Sequence, residues 1–194
     1  MIRTSHDRSR VAGAVATVAT LAALVAVASA SATTTSSVKL TAGSLGFAGA
    51  PARVTFASTA RSGVDQTVTA AEPIDVGAST GSTAGWYVTA TSTTFTSGKQ
   101  TLPTTATTIV AAPATASCDT GSTCAPATAA AVVTYPYSLP AAAIAPSATT
   151  LYSAQAGTGM GDQTVTPTWR LAIPAKPAAG VYTSTWTISI VSGP

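Results

Sequence analysis

From about residue 38 onward, short stretches place an apolar residue at every second position with Thr or Ser between, and Gly, Pro or Asp closes each one. Alternate side chains of an extended chain point to opposite faces, so this pattern suits half-buried strands and disfavours helices. It recurs in "SVKLTAG", "ARVTFAS", "QTVTAAEPIDVG", "GWYVTATSTTF", "TIVAAP", "AVVTYPYSLP", "TLYSAQAG", "PTWRLAIPA" and the closing "GVYTSTWTISIVSGP". In the last of these Tyr182, Ser184, Trp186, Ile188 and Ile190 share one face, and Thr183, Thr185, Thr187 and Ser189 the other. Residues 127–131 are Ala-rich, but the stretch is short, uncapped and followed by β-branched residues, so it predicts no helix. The expected fold is all-β: an antiparallel β-sandwich, Ig-like or jelly-roll-like, forming a single domain over 38–194. The segment "SLPAAAIAPSATT" at 138–150 is then a surface loop within that domain, because neither side of it holds enough strands to bury a core separately.

The N-terminus has the layout of an export signal: Arg3, Arg8 and Arg10, an apolar run over 11–27, then "ASASA" at 28–32. Residues 1–30 are expected to be a signal-peptide helix, cleaved after Ala30 or Ala32, with an uncleaved single-span anchor as the alternative. "SATTTSS" at 31–37 reads as a disordered lead, since a Ser/Thr run buries nothing. Of the nine basic and six acidic residues, the signal segment holds Arg3, Arg8, Arg10 and Asp7, so what remains is nearly neutral. Such a chain has no basic field for nucleic acid and none for an anionic membrane after cleavage. With only 8% charged residues, against about 25% in ordinary domains, solubility falls to Thr and Ser, as suits a secreted protein.

The single histidine, His6, lies in the segment that export removes, which leaves no imidazole for a triad, a general base or a zinc site. The acids Asp65, Glu72, Asp75, Asp119 and Asp162 show no spacing that pairs carboxylates and read as turn and cap residues. In "GTGMGDQT", Asp162 beside three glycines is a tight turn more simply than a calcium loop, and G-x-G-x-G without a strand–loop–helix context is not a phosphate cradle. Neither an enzyme, a cofactor nor a metal site is expected. Cys118 and Cys124 enclose "DTGST", too wide for a redox pair and too few for structural zinc, and are expected to form a local disulfide worth about 2 kcal/mol. Trp86, Trp169 and Trp186 each precede an aliphatic residue by two positions, on the same strand face. Such pairs fill sheet cores, but a half-exposed ring could instead stack on sugar faces; both readings stay open.

Two stretches, "IDVGASTGSTAGWYVTATSTTFTSG" and "TWRLAIPAKPAAGVYTSTWTISIVSGP", resemble the WxL family of Gram-positive surface proteins. Members carry one W-x-L type motif after a Gly-rich turn and a second near the C-terminus, after a "G-x-Y-T-x-T" strand. Here the motif positions read Trp86 with Val88 and Trp186 with Ile188, while the literal W-x-L is Trp169, Arg170 and Leu171. The resemblance implies secretion, an all-β fold and non-covalent attachment to cell-wall peptidoglycan, with Trp86, Val88, Tyr182, Trp186 and Ile188 as binding residues and other surface proteins as further partners. No sortase-type motif, charged tail or terminal span follows the closing strand, so retention is expected to come from the folded surface. The competing expectation is a structural subunit of an extracellular assembly that pairs through an edge strand.

Overall fold

A computed structural model describes residues 35–113 and 116–193, and the regular structure in them is all strand. The signal peptide expected over 1–30 lies outside the described residues, as does the start of the 31–37 lead. In chain order the strands are β1 (Leu45–Phe47), β2 (Gln66–Ala71), β3 (Ile74–Ala78), β4 (Trp86–Thr93), β5 (Thr96–Ser97), β6 (Gln100–Thr101) and β7 (Thr107–Ile109). They continue with β8 (Ser117–Cys118), β9 (Tyr137–Ser138), β10 (Ala141–Ala142), β11 (Thr149–Ser153), β12 (Gly161–Val165), β13 (Thr168–Ile173) and β14 (Trp186–Ser192).

Two long antiparallel partners form the first layer. β2 pairs with β13 and β3 with β12 in one unbroken register, Ala71 opposite Thr168 and Ile74 opposite Val165. Pro73 and Pro167 interrupt the ladder between them, because proline has no N–H to give. Glu72 N–H still reaches Pro167 O at 3.0 Å, so the register carries across the interruption. β1 flanks β3, β8 flanks β12, and β7 followed by β9 flanks β13. "QTVTAAEPIDVG", read from the sequence as one stretch, is thus two strands meeting at Glu72 and Pro73.

The second layer centres on β4, whose run of β-branched and aromatic residues follows the left-handed Gly85 (φ 77°). β14 lies along one side, from Trp186 opposite Ser92 to Ser192 opposite Trp86. β11 lies along the other, with a bulge at Leu151, and β10 adds a short parallel pairing. The bulge turns both Leu151 and Tyr152 inward, and both are fully buried.

The inner faces meet as an antiparallel β-sandwich. Ile74, Val76, Val165 and Trp169 pack against Trp86, Val88, Ala90 and Leu151 within one hydrophobic cluster. Gln163, also fully buried, is satisfied by the N–H of Ala127 at 2.7 Å. Leu40–Pro194 form one packed unit. No helix among the described residues is long and apolar enough to cross a membrane.

Three sequence-read stretches differ from expectation, and in one of them, "AVVTYPYSLP", only Tyr137–Ser138 is strand while Val132 is exposed. "SVKLTAG" is not a strand: Val38 and Leu40 are 81% and 87% exposed, and the first backbone bond to the sandwich is Gly43 N–H to Ser79 O at 2.9 Å. "ARVTFAS" does turn Val54 and Phe56 onto the core, but residues 50–64 make no backbone hydrogen bond to another described residue, so the alternation has no ladder. The closing stretch is the expected strand, and it lies at an edge. β14 pairs with β4 alone among the described strands, which leaves Trp186, Ile188 and Ile190 half-buried.

Candidate functional site

The three tryptophans share one local pattern and occupy three environments. Trp86, on the central β4, is buried; its indole Nε1 donates to Gly159 O at 2.7 Å and its ring lies 5.6 Å from that of Tyr152. Gly159 is required there, since its φ is +81° and a Cβ would fall 2.6 Å from the Trp86 Nε1. Trp169, on β13, is 0% exposed and donates Nε1 to Glu72 Oε2 at 2.7 Å. Trp186, on the edge strand, sets its ring edge-on to Trp169 at 4.8 Å and approaches Phe56 at 6.4 Å and Phe95 at 6.3 Å. It also lines a cavity.

That cavity, about 1330 Å³, opens where residues 51–64 cross the side of the sandwich between β2 and β14. Phe56, Phe95, Tyr182, Trp186, Ile188 and Glu72 contribute to its lining, and so do Arg53 and Arg61. Hydrogen bonds brace the wall on the β14 side, where Thr93 N–H donates to Thr185 O at 2.8 Å and Thr96 and Thr183 exchange backbone bonds at 2.9 Å, and others hold the segments around it. Arg61 Nη2 donates to Ala175 O at 2.7 Å, Ala175 N–H donates to Asp65 Oδ1 at 2.8 Å, and the Tyr182 hydroxyl donates to Ala178 O at 2.9 Å. Glu72 is 2% exposed, and burial pushes its carboxyl above the ordinary 4.5, with the Trp169 indole pulling the other way.

No family model, curated protein or solved structure matches the chain. The residues singled out by sequence therefore stand on their own geometry. Tyr182, Trp186 and Ile188 come together on the cavity wall. Trp86 and Val88 do not join them; both are in the core, where Trp86 braces the Gly-rich turn through Gly159. Cys118 and Cys124 form the expected disulfide, with Cα atoms 5.6 Å apart, next to Gly161, where a Cβ would fall 2.8 Å from the Cys124 Cβ.

Two features escaped the sequence reading. Glu72 is the buried carboxylate of the cavity and not a turn residue; the Glu-Pro pair inside an apolar alternation was its only signal. Asp75, Asp119 and Asp162 gather on the β3, β12 and β8 layer, where Thr164 donates its hydroxyl to Asp119 Oδ1 at 2.7 Å. Asp75 has its pKa raised by burial, then by the Asp119 carboxyl beside it and the charge of Asp162. No group of three or more His, Cys, Asp or Glu among the described residues is arranged to hold a metal ion.

Proposed function

We propose that this chain is a secreted, non-catalytic surface protein that attaches to the bacterial cell wall, to peptidoglycan, through a WxL-like domain. The observation that carries the reading is the half-buried Trp186 ring, packed against Trp169, Phe56 and Phe95 and lining an open cavity together with Tyr182 and Ile188. A flat, rigid aromatic face stacks on the apolar face of a sugar ring at little entropic cost, because its rotamer is already fixed by packing. The motif resemblance points the same way, with Trp86 and Val88 acting as support for the fold and not as contacts. The test is sedimentation of the protein with purified, protein-free cell walls. Wild type is expected in the pellet, while Tyr182→Ala and Trp186→Phe remain in the supernatant with unfolding temperatures near wild type. Wild-type protein left in the supernatant would overturn the reading.

A second reading, a structural subunit of an extracellular assembly, is favoured by one observation. β14 offers an open strand edge, beside a 51–64 segment that has no ladder of its own. Self-association in solution without wall binding would favour it.

A further inference from the structure

We infer that Glu72 is the polar anchor of this cavity, accepting a hydrogen bond from a hydroxyl or acetamide N–H of an uncharged saccharide unit that stacks on Trp186. The inference rests on the wall-binding reading for the kind of ligand, but the residue and the charge class come from the cavity. Glu72 is almost fully buried, and burying a carboxylate without a cation is costly. Its Oε2 takes the indole proton of Trp169. Its Oε1 has no protein donor among the described residues, yet it is not sealed in as a buried unsatisfied atom, and the residue lines the cavity. A carboxylate accepts up to about four hydrogen bonds, so capacity remains on the cavity side. A glutamine would accept the same indole bond without the charge, so packing gives no reason for an acid at this position.

The rest of the lining selects the ligand's charge. Arg53 and Arg61 line the same cavity, so a cationic ligand meets two like charges for one opposite. An anionic one meets Glu72 at its most buried point. An uncharged donor satisfies Glu72 without either conflict. Trp169 fixes the two contacts relative to each other: its Nε1 holds the carboxyl at 2.7 Å and its ring abuts Trp186 at 4.8 Å. The stacking face and the acceptor are therefore preorganised as one unit.

The test uses the full-length chain as secreted by its expression host, titrated by tryptophan fluorescence with a neutral N-acetylglucosamine oligomer and, in parallel, with its de-N-acetylated, cationic counterpart. Wild type is expected to bind the neutral oligomer and to bind the cationic one at least tenfold more weakly. Glu72→Gln should lose at least tenfold in affinity with an unchanged or raised unfolding temperature, and Glu72→Asp, which withdraws the carboxyl by one methylene, should lose affinity as well. Equal binding by Glu72→Gln and wild type, or tighter binding of the cationic oligomer, overturns the inference; wall sedimentation that still depends on Trp186 would then leave the wall reading intact. Binding of the neutral oligomer through Glu72 with no sedimentation on walls supports the inference and overturns the wall reading. Failure of wild type with both oligomers and walls overturns both.

Discussion

Trp169 and Glu72 meet beside the Pro73 and Pro167 interruption of the long ladder, the indole Nε1 donating to Oε2 at 2.7 Å, and this one bond joins the sandwich core to the lining of the cavity. The fold keeps a buried acid there with no cation paired to it among the described residues, and that choice should show in its stability as well as in its binding.

A carboxyl whose pKa is raised by folding holds its proton more tightly in the native state than in the unfolded chain. The stabilisation from that proton is complete below the ordinary 4.5 and is lost as pH rises through the folded value. Glu72→Gln should thus unfold at a higher temperature than wild type at pH 7, with the gap closing as pH falls toward 4. Asp75, raised in the same direction by burial, Asp119 and Asp162, contributes equally to both proteins and cancels from the difference. Thermal unfolding of both across pH 4–8 measures this, and a gap that stays constant with pH would mean that Glu72 does not titrate as a buried acid.

Gly159 and Gly157 separate two costs of adding a methyl group. Both have left-handed backbones, φ +81° and +80°, but only at Gly159 would a Cβ meet another residue, the Trp86 indole at 2.6 Å. Gly157→Ala should cost about 1–2 kcal/mol from backbone strain. Gly159→Ala should cost at least about 1 kcal/mol more, since the buried indole must move off its acceptor. Denaturant titration compares the two, and equal costs would show that the Trp86 bond adds nothing.

The tryptophans should separate by sheet position. Trp169→Ala removes a ring from the centre of the core and should cost about 3–5 kcal/mol. Trp186, half-buried on an edge strand, should cost roughly half as much on the same scale. Thr185→Ala and Thr187→Ala, exposed on the opposite face, should stay within about 0.5 kcal/mol. Equilibrium unfolding in urea ranks the four. A Trp186 cost equal to that of Trp169 would argue that the cavity side is closed in solution.

Hydrogen exchange should set the 51–64 segment apart from the sandwich it crosses. Its backbone lacks ladder bonds to other described residues, whereas β4 is paired on both sides. Amides of residues 52–62 should exchange near the rate of a free chain, and those of Val88 and Ala90 only through global opening. Protection of 52–62 would indicate that the segment pairs with the β14 edge.

Much of the fold was legible because strand alternation is local. Trp86, Val88 and Ala90 face one way in β4, and Trp169 and Leu171 do so in β13, as a period of two requires. The Cys118–Cys124 pairing was legible for the same reason, since a turn with a sequence separation of 6 brings the two sulfurs together whatever surrounds them. Alternation states which face a side chain takes, but not whether a strand finds a partner or where it lies in a sheet. Val54 and Phe56 alternate as well as any strand and have no ladder, and three Trp-x-aliphatic pairs became two core anchors and one cavity wall because β4 and β13 are central while β14 is an edge. Glu72 in the cavity and Asp75 beside Asp119 and Asp162 likewise depend on strands brought together from opposite ends of the chain. Burial and proximity are properties of the assembled sheets, so the sequence by itself determined the strand period and the local staple, and only the tertiary structure decided which alternating residues became core, edge or site.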